Sequence, residues 1–501
     1  MKKHGVLLHI SSLPGDFGIG DFGPAAYRFA EYLAQRKCAY WQILPLNHCG
    51  YGNSPYNPIS AFALNPYLIS PELLFQDGLI EYDDLISAKH PSSPQIAFET
   101  VFKAKDKLFR KAGENWLINH DVHAFINENA YWLKPYIAFT TLCKLYEDCT
   151  WNSFAPQHRR YSDQLYDKLM EDFSTGMLNT AACQAILEDQ ISRFKAVLIE
   201  NNITLIGDMP LYLSLHSTEV WAHQELFELT ENGEPTSVAG VPPDAFAEEG
   251  QLWGNPIYRW ETMRHQRYPL FTARIGHALK FIDRLRLDHF IGYVNYWNVP
   301  CAWDAKTQKH ILPEDARGGN WIPAPGDDFF GHICYHFSAD RFIAEDLGIL
   351  NEEVCRIRGK YGFPGMIILQ FCFEESVPRV HEYPFDRYLY TGTHDNPTIR
   401  EWFEALEPES DSYKNLMQYV KENPHILDPQ ADEQEISYRI DDFIKAENIH
   451  KLMINITLTS GCEKIIIPMQ DILGLDSYAR MNIPGTALGN WQWRMTENLV
   501  L

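Results

Sequence analysis

Phe281-Ile282-Asp283-Arg284-Leu285-Arg286-Leu287-Asp288 is a short β-rich run that ends on an acid. Side chains alternate along a strand, so Arg286 and Asp288 project to one side and Leu287 to the other. Seven comparable apolar runs lie at 5–10, 40–46, 203–208, 342–345, 366–371, 388–395 and 464–471, and four of these also end on an acid. Near-continuous apolar runs are what strands buried on both faces of a parallel sheet look like. Segments with helical periodicity separate several of them, at 24–36, 183–200, 268–280 and 440–458,. The first opens on Pro24, which a first helical turn tolerates. Eight buried strands interleaved with helices predict an α/β fold, a (β/α)8 TIM barrel. A doubly wound open sheet is the alternative that strand counting leaves open.

The spacing of the runs predicts where extra chain sits. One catalytic barrel is expected over 1–501, with a mostly helical insert at 47–202 after the second strand. A smaller insert with a substrate loop is expected at 209–280, and a small cap at 405–440, where acids and prolines collect. Such inserts leave from the strand ends where barrel active sites lie. The chain has 501 residues and 43 Lys+Arg against 66 Asp+Glu, a net charge of −23. That balance argues against nucleic-acid or anionic-membrane binding, which need a cationic surface. The apolar run at 5–8 is too short for a signal peptide, and no stretch reaches membrane-span length. Ten scattered cysteines without a CxxC pair predict reduced thiols, no structural zinc and a cytoplasmic protein,.

Gly18-Ile19-Gly20-Asp21-Phe22-Gly23 is a literal G-x-G-x-x-G before a helix. A dinucleotide reading, and a dehydrogenase with it, fails on context. Seven residues separate the strand from Gly18, and the next strand ends Leu46-Asn47-His48 without an acid for the ribose,. The glycines are expected to let the backbone approach a neighbour closely.

Acids at strand ends carry the chemistry. Asp208, Asp288, the adjacent Glu345 and Asp346, and Asp395 end four separate runs. Each alone fits a turn or a helix cap. Together they converge on one mouth of a barrel. A guanidinium such as Arg286 keeps a neighbouring carboxylate ionised. Alternation sends Glu345 and Asp346 in opposite directions, and periodicity does not say which faces the site. Two carboxylates flanking a bond are the minimal machinery of glycosidic chemistry. Tyr51 to Tyr56, Gln251 to Pro256 and Asn490 to Trp493 have the aromatic and amide composition of a sugar cleft.

Read together and in order, several segments are recognisable. They include Ser12-Leu13-Pro14-Gly15, Trp41-Gln42-Ile43-Leu44-Pro45-Leu46, Gly207-Asp208-Met209-Pro210, Val238-Ala239-Gly240-Val241-Pro242-Pro243-Asp244 and Trp253-Gly254-Asn255-Pro256. Arg286 to Phe290, Glu345-Asp346-Leu347-Gly348, Gly362-Phe363-Pro364-Gly365-Met366, His394-Asp395-Asn396 and Asn482-Ile483-Pro484-Gly485-Thr486 complete the set. From about His9 to Trp493 the sequence resembles the amylomaltases, 4-α-glucanotransferases of glycoside hydrolase family 77.

The resemblance implies a TIM barrel without a C-terminal β-domain, and a retaining double displacement that needs no cofactor and no metal. It implies Asp288 as nucleophile, Glu345 as general acid/base and Asp395 as transition-state stabiliser. Substrate contacts would fall on Ser54, Tyr56, Asp208, Trp253, Arg286, His289, His394 and Asn396. The implied partners are α-1,4-glucan donors and acceptors: maltooligosaccharides, starch- or glycogen-derived glucans, and glucose as acceptor. Where family members often carry Tyr-Phe on a mobile loop, this chain has Ala245-Phe246. The rival readings are an α-1,4-glucan hydrolase of the α-amylase type using the same acids, and a non-catalytic glucan-binding barrel.

Overall fold

The computed structural model describes residues 2–243, 248–348, 350–426 and 448–496. Eight parallel strands form one sheet: β1 (Lys3–Leu7), β2 (Tyr40–Gln42), β3 (Thr204–Met209), β4 (Arg284–Leu287), β5 (Phe342–Ala344), β6 (Met366–Ile368), β7 (Tyr388–Tyr390) and β8 (Lys464–Pro468). Their order around the sheet is β5-β4-β3-β2-β1-β8-β7-β6. Each neighbour in space is a neighbour in sequence, apart from the β1–β8 pairing that brings the two ends of the chain together. This is a (β/α)8 barrel, as the apolar runs predict, and the doubly wound alternative falls. The run at 203–208 stops one residue short of Met209, while the other seven of the eight runs extend past the C-terminal end of their strand. There the backbone leaves the ladder to form the loops of the barrel mouth.

The seam between β5 and β6 has no ladder, and two hydrogen bonds bridge it. Ala344 N donates to Pro364 O at 2.9 Å, and Met366 N donates to Asp346 Oδ1 at 2.8 Å. The Asp346 side chain is fully buried, 3.0 Å from Arg387 Nη1 just before β7 and 3.2 Å from Arg358 Nε. A Cβ on Gly365 would run into the Asp346 carboxylate. One acid therefore fastens β5, β6 and the start of β7 together.

Helices α1 (Pro24–Gln35), α2 (Asp163–Glu200), α3 (Pro269–Phe281), α4 (Gly326–His336) and α5 (Glu352–Tyr361) follow β1 to β5 in turn. Proline stands in the first turn of α1 and of α3. Between β2 and β3 the chain adds helices Phe98–Asn119 and Ala130–Tyr146 before the long α2. Buried side chains tie this chain down where strand ladders do not. Gln184 on α2 accepts from Leu64 N and donates to Leu64 O, both at 2.9 Å. Glu219 accepts from Ser60 Oγ at 2.7 Å and Ala61 N at 2.8 Å. These contacts hold the segment that carries Tyr56. Residues 427–440 of the expected cap at 405–440 lie outside the described residues, as does the Ala245-Phe246 loop within 244–247.

A four-stranded antiparallel sheet, in the order Asn320–Pro323, Asn295–Pro300, Ser237–Val241, Gln251–Pro256, stands beside the barrel. Its short strands, interrupted by Gly, Pro and Asn, give no alternation that a sequence reading could use. The glycines of 18–23 pack closely, and a Cβ on Gly20 would meet the Ile10 carbonyl. Asp21 pairs with the buried Lys105 at 3.6 Å. One expectation needs correction: Cys143 and Cys149 form a disulfide, with Cα atoms 4.6 Å apart. Glu147 ends helix Ala130–Tyr146 in the left-handed region. Asp148 N returns to Cys143 O at 3.1 Å, which folds Cys149 back onto Cys143.

Candidate active site

Arg286 leaves β4 buried at the barrel mouth. Its Nη1 donates to Asp208 Oδ1 at 2.9 Å, Asp208 Oδ2 at 2.8 Å and Asp288 Oδ1 at 2.8 Å. Tyr56 Oη donates to Asp208 Oδ2 at 2.8 Å. Asp208 is thus saturated and its side chain inaccessible, whereas the Asp288 side chain is 26% accessible and opens to the cleft. Asp208 is best described as the anchor of Arg286 and Tyr56. Burial pushes its carboxyl up, against the pull of Arg286.

Glu345 follows β5, and alternation is settled there: Glu345 turns to the mouth and Asp346 into the seam. Glu345 Oε2 accepts from His289 N at 2.8 Å, and Oε1 accepts from Leu347 N at 3.1 Å. His289 presents that N–H from the left-handed region, φ 50°. Desolvation pushes the Glu345 carboxyl up to about 8, with Asp288 adding to it and Arg286 and the two N–H groups opposing,.

Asp395 behaves in the opposite way. Its Oδ1 accepts from Asn482 Nδ2 at 2.6 Å, and its Oδ2 lies 3.3 Å from His394 Nε2. Desolvation in the cleft acts to raise it. The His394 ring, through its Nε2, and Asn482 outweigh this and hold Asp395 well below the usual carboxylate range. Arg480 Nη2 donates to the Asp395 backbone carbonyl at 3.1 Å.

Aromatic rings line the cleft. Tyr56 stacks on His394, centroids 4.9 Å apart at 13°, with Trp491 at 5.7 Å from Tyr56. Trp253, 37% exposed, meets His289 edge-on at 4.7 Å. Two nominated residues bind their own loops. Ser54 Oγ accepts from Tyr56 N at 3.2 Å, and Asn396 Oδ1 accepts from Thr393 N and Oγ1, both at 2.8 Å. Trp491 lies in the 490–493 segment whose composition suggested a sugar cleft, whereas sequence reasoning did not assign Asn482 or Arg480 to the site. They sit in the irregular chain after β8, where no periodicity marks them. Asn482 was in a recognisable segment, Asn-Ile-Pro-Gly-Thr, but nothing in that segment points to Asp395.

A barrel mouth with one carboxyl held protonated, one held ionised and a third paired to arginine defines the class of carbohydrate-active barrel enzymes that work with carboxylates. The family profile described as 4-alpha-glucanotransferase, glycoside hydrolase family 77, matches residues 8–499. The 4-alpha-glucanotransferase of Streptococcus pneumoniae is 35% identical over 516 residues, covering 99% of this chain and 94% of that one. That of Aquifex aeolicus is 36% identical over 502 residues, covering 99% and 96%. The amylomaltase from Streptococcus agalactiae, solved with acarbose, superposes with a TM-score of 0.88 at 31% identity over 100% of this chain and 96% of that one. The chain belongs to the 4-alpha-glucanotransferase family, and glucan transfer is its activity. Among the described residues no group of His, Cys, Asp or Glu is placed to hold a metal ion, and no helix is long and apolar enough to cross a membrane.

Proposed function

We propose that the chain transfers α-1,4-glucan segments by a retaining double displacement. The observation that carries this reading is the pairing of a carboxyl raised to about 8, Glu345, with the Arg286-paired Asp288 beside it. Asp288 attacks C1 of the donor while Glu345 gives its proton to the departing glycosidic oxygen. A glucosyl ester on Asp288 results, and the shortened glucan leaves with the proton. Glu345, now ionised, takes the proton of an acceptor 4-OH, that oxygen attacks C1, and Asp288 departs as carboxylate. Asp395, held as an anion by His394 and Asn482, stabilises the positive charge that develops at C1 in the transition state of each step.

Tyr56, Trp491 and Trp253 supply the flat apolar faces on which sugar rings rest. The acarbose bound to the Streptococcus agalactiae enzyme supports an α-glucan in the corresponding cleft here. Donors and acceptors are maltooligosaccharides and longer glucans, with glucose as the smallest acceptor. We read 47–202 and 209–280 as insertions that wall the cleft and exclude water once a glucan is bound. Eight free cysteines among the described residues are compatible with the cytoplasm as the compartment.

The test is to trap the ester. With an α-maltosyl fluoride donor the leaving group needs no protonation, so Glu345→Gln still forms the ester and loses the base that resolves it. Mass spectrometry is expected to find one maltosyl group on the peptide that contains Asp288. Asp288→Asn is expected to give no adduct, a kcat lower by at least roughly 10⁴-fold and an unchanged circular dichroism spectrum. An adduct on another residue, or turnover by Asp288→Asn, would overturn the mechanism.

A further inference from the structure

His9 lies just past β1. Its side chain is buried, 8% exposed, and its Nδ1 has no hydrogen-bond partner. His394, 5% exposed, likewise has an Nδ1 without a partner. Both rings line one cavity of about 20 Å³. That is room for one water, and a buried water needs two to four polar partners. Other polar groups on the cavity wall are engaged elsewhere. Ser12 Oγ donates to Trp493 O at 2.8 Å, Gln470 Nε2 donates to Ala479 O at 3.3 Å, and Arg480 holds the Asp395 carbonyl. The two imidazole nitrogens are therefore the groups that gain most from a shared water.

The other face of His394 fixes half of its state. Nε2 faces Asp395 Oδ2 at 3.3 Å. A carboxylate only accepts, so Nε2 carries a hydrogen. What Nδ1 does then decides how the ring is held, because the bond made by one ring nitrogen sets the tautomer at the other. His9 is itself kept neutral, pushed down to about 3 by burial and then by His394. A neutral imidazole offers one donor and one acceptor.

We propose that His9 is a positioning residue for Asp395: through one water in this cavity its Nδ1 hydrogen-bonds Nδ1 of His394, fixing that ring so that Nε2–H stays aimed at Asp395. His9 touches neither sugar nor acid and acts through His394. The inference rests on the reading of Asp395 as the transition-state stabiliser.

The test uses three substitutions that differ in where they place a polar atom. Asn puts an amide near the position of Nδ1, Gln puts it near Nε2, and Leu has none. In maltotriose transfer, His9→Leu is expected to lower kcat by about 10- to 100-fold with KM within about twofold. His9→Asn is expected to recover most of the loss, to within about fivefold of wild type, and His9→Gln is not. Nitrogen-15 imidazole spectra of the wild-type protein are expected to show His394 with Nε2 protonated and Nδ1 accepting. A wild-type kcat in His9→Leu, or equal losses in the Leu and Asn variants, overturns the role. If the Leu variant does not fold, the wild-type spectrum decides: a His394 ring protonated on Nδ1 alone overturns it. Asp395→Asn is measured in parallel. Turnover by that variant removes the role of Asp395 itself, whereas an inactive Asp395→Asn beside a normal His9→Leu removes only the inference about His9.

Discussion

At the scale of single residues, two carboxyls a few residues from strand ends are driven in opposite directions by what touches them. Glu345 has desolvation and Asp288 against it, and Asp395 has His394 and Asn482 in its favour. The acid form of Glu345 acts in the first step, so activity is lost as pH rises through its value. We expect kcat/KM for maltotriose to fall about tenfold per pH unit above about 8. In Glu345→Gln the rate of ester formation from an activated fluoride donor, read as the single burst of fluoride release, is expected to lose this limb. A wild-type profile that stays flat to about pH 9.5 would contradict the assignment of Glu345. Asp288 and Asp395 could be nominated from sequence because acids at the ends of buried strands stand out against apolar runs. Their partners could not be found in this way. Asn482 reaches Asp395 across 87 positions of chain, and only the closing of β8 beside β1 and β7 brings it there.

At the scale of elements, the eight barrel strands were legible because burial on both faces leaves continuous apolar runs. The antiparallel sheet that carries Trp253 was not, because its strands are short and broken by Gly and Pro. The disulfide was also invisible. Cys143 and Cys149 come together through one left-handed residue at a helix end, which no spacing rule signals. Asp346 shows how an element-level contact serves the site. It binds Arg358, Arg387 and Met366 N across the seam of the barrel, one residue after Glu345. Removing it leaves two arginines facing a buried gap. Asp346→Ala is expected to lose about 3–5 kcal/mol of stability, read as a lower Tm, and to lower kcat as Glu345 loses its anchor. An unchanged Tm would show that the seam closes without it.

At the scale of the whole molecule, the barrel supplies the acids, and in our proposal the added chain supplies the walls of the cleft. Transfer needs both, since a dilute sugar must reach the glucosyl ester ahead of bulk water. We assign such walls to 47–202 and 209–280, which follow β2 and β3 in the chain. A hydrolase could use the same three acids, so the acids alone do not separate the two outcomes. The products do. The most direct measurement is incubation of the purified protein with maltotriose and no added cofactor, followed by chromatography of the sugars and a count of reducing ends. The account expects glucose and a ladder of longer maltooligosaccharides, with the number of reducing ends unchanged. Glucose and maltose with reducing ends rising in step would contradict it, and would make water the acceptor.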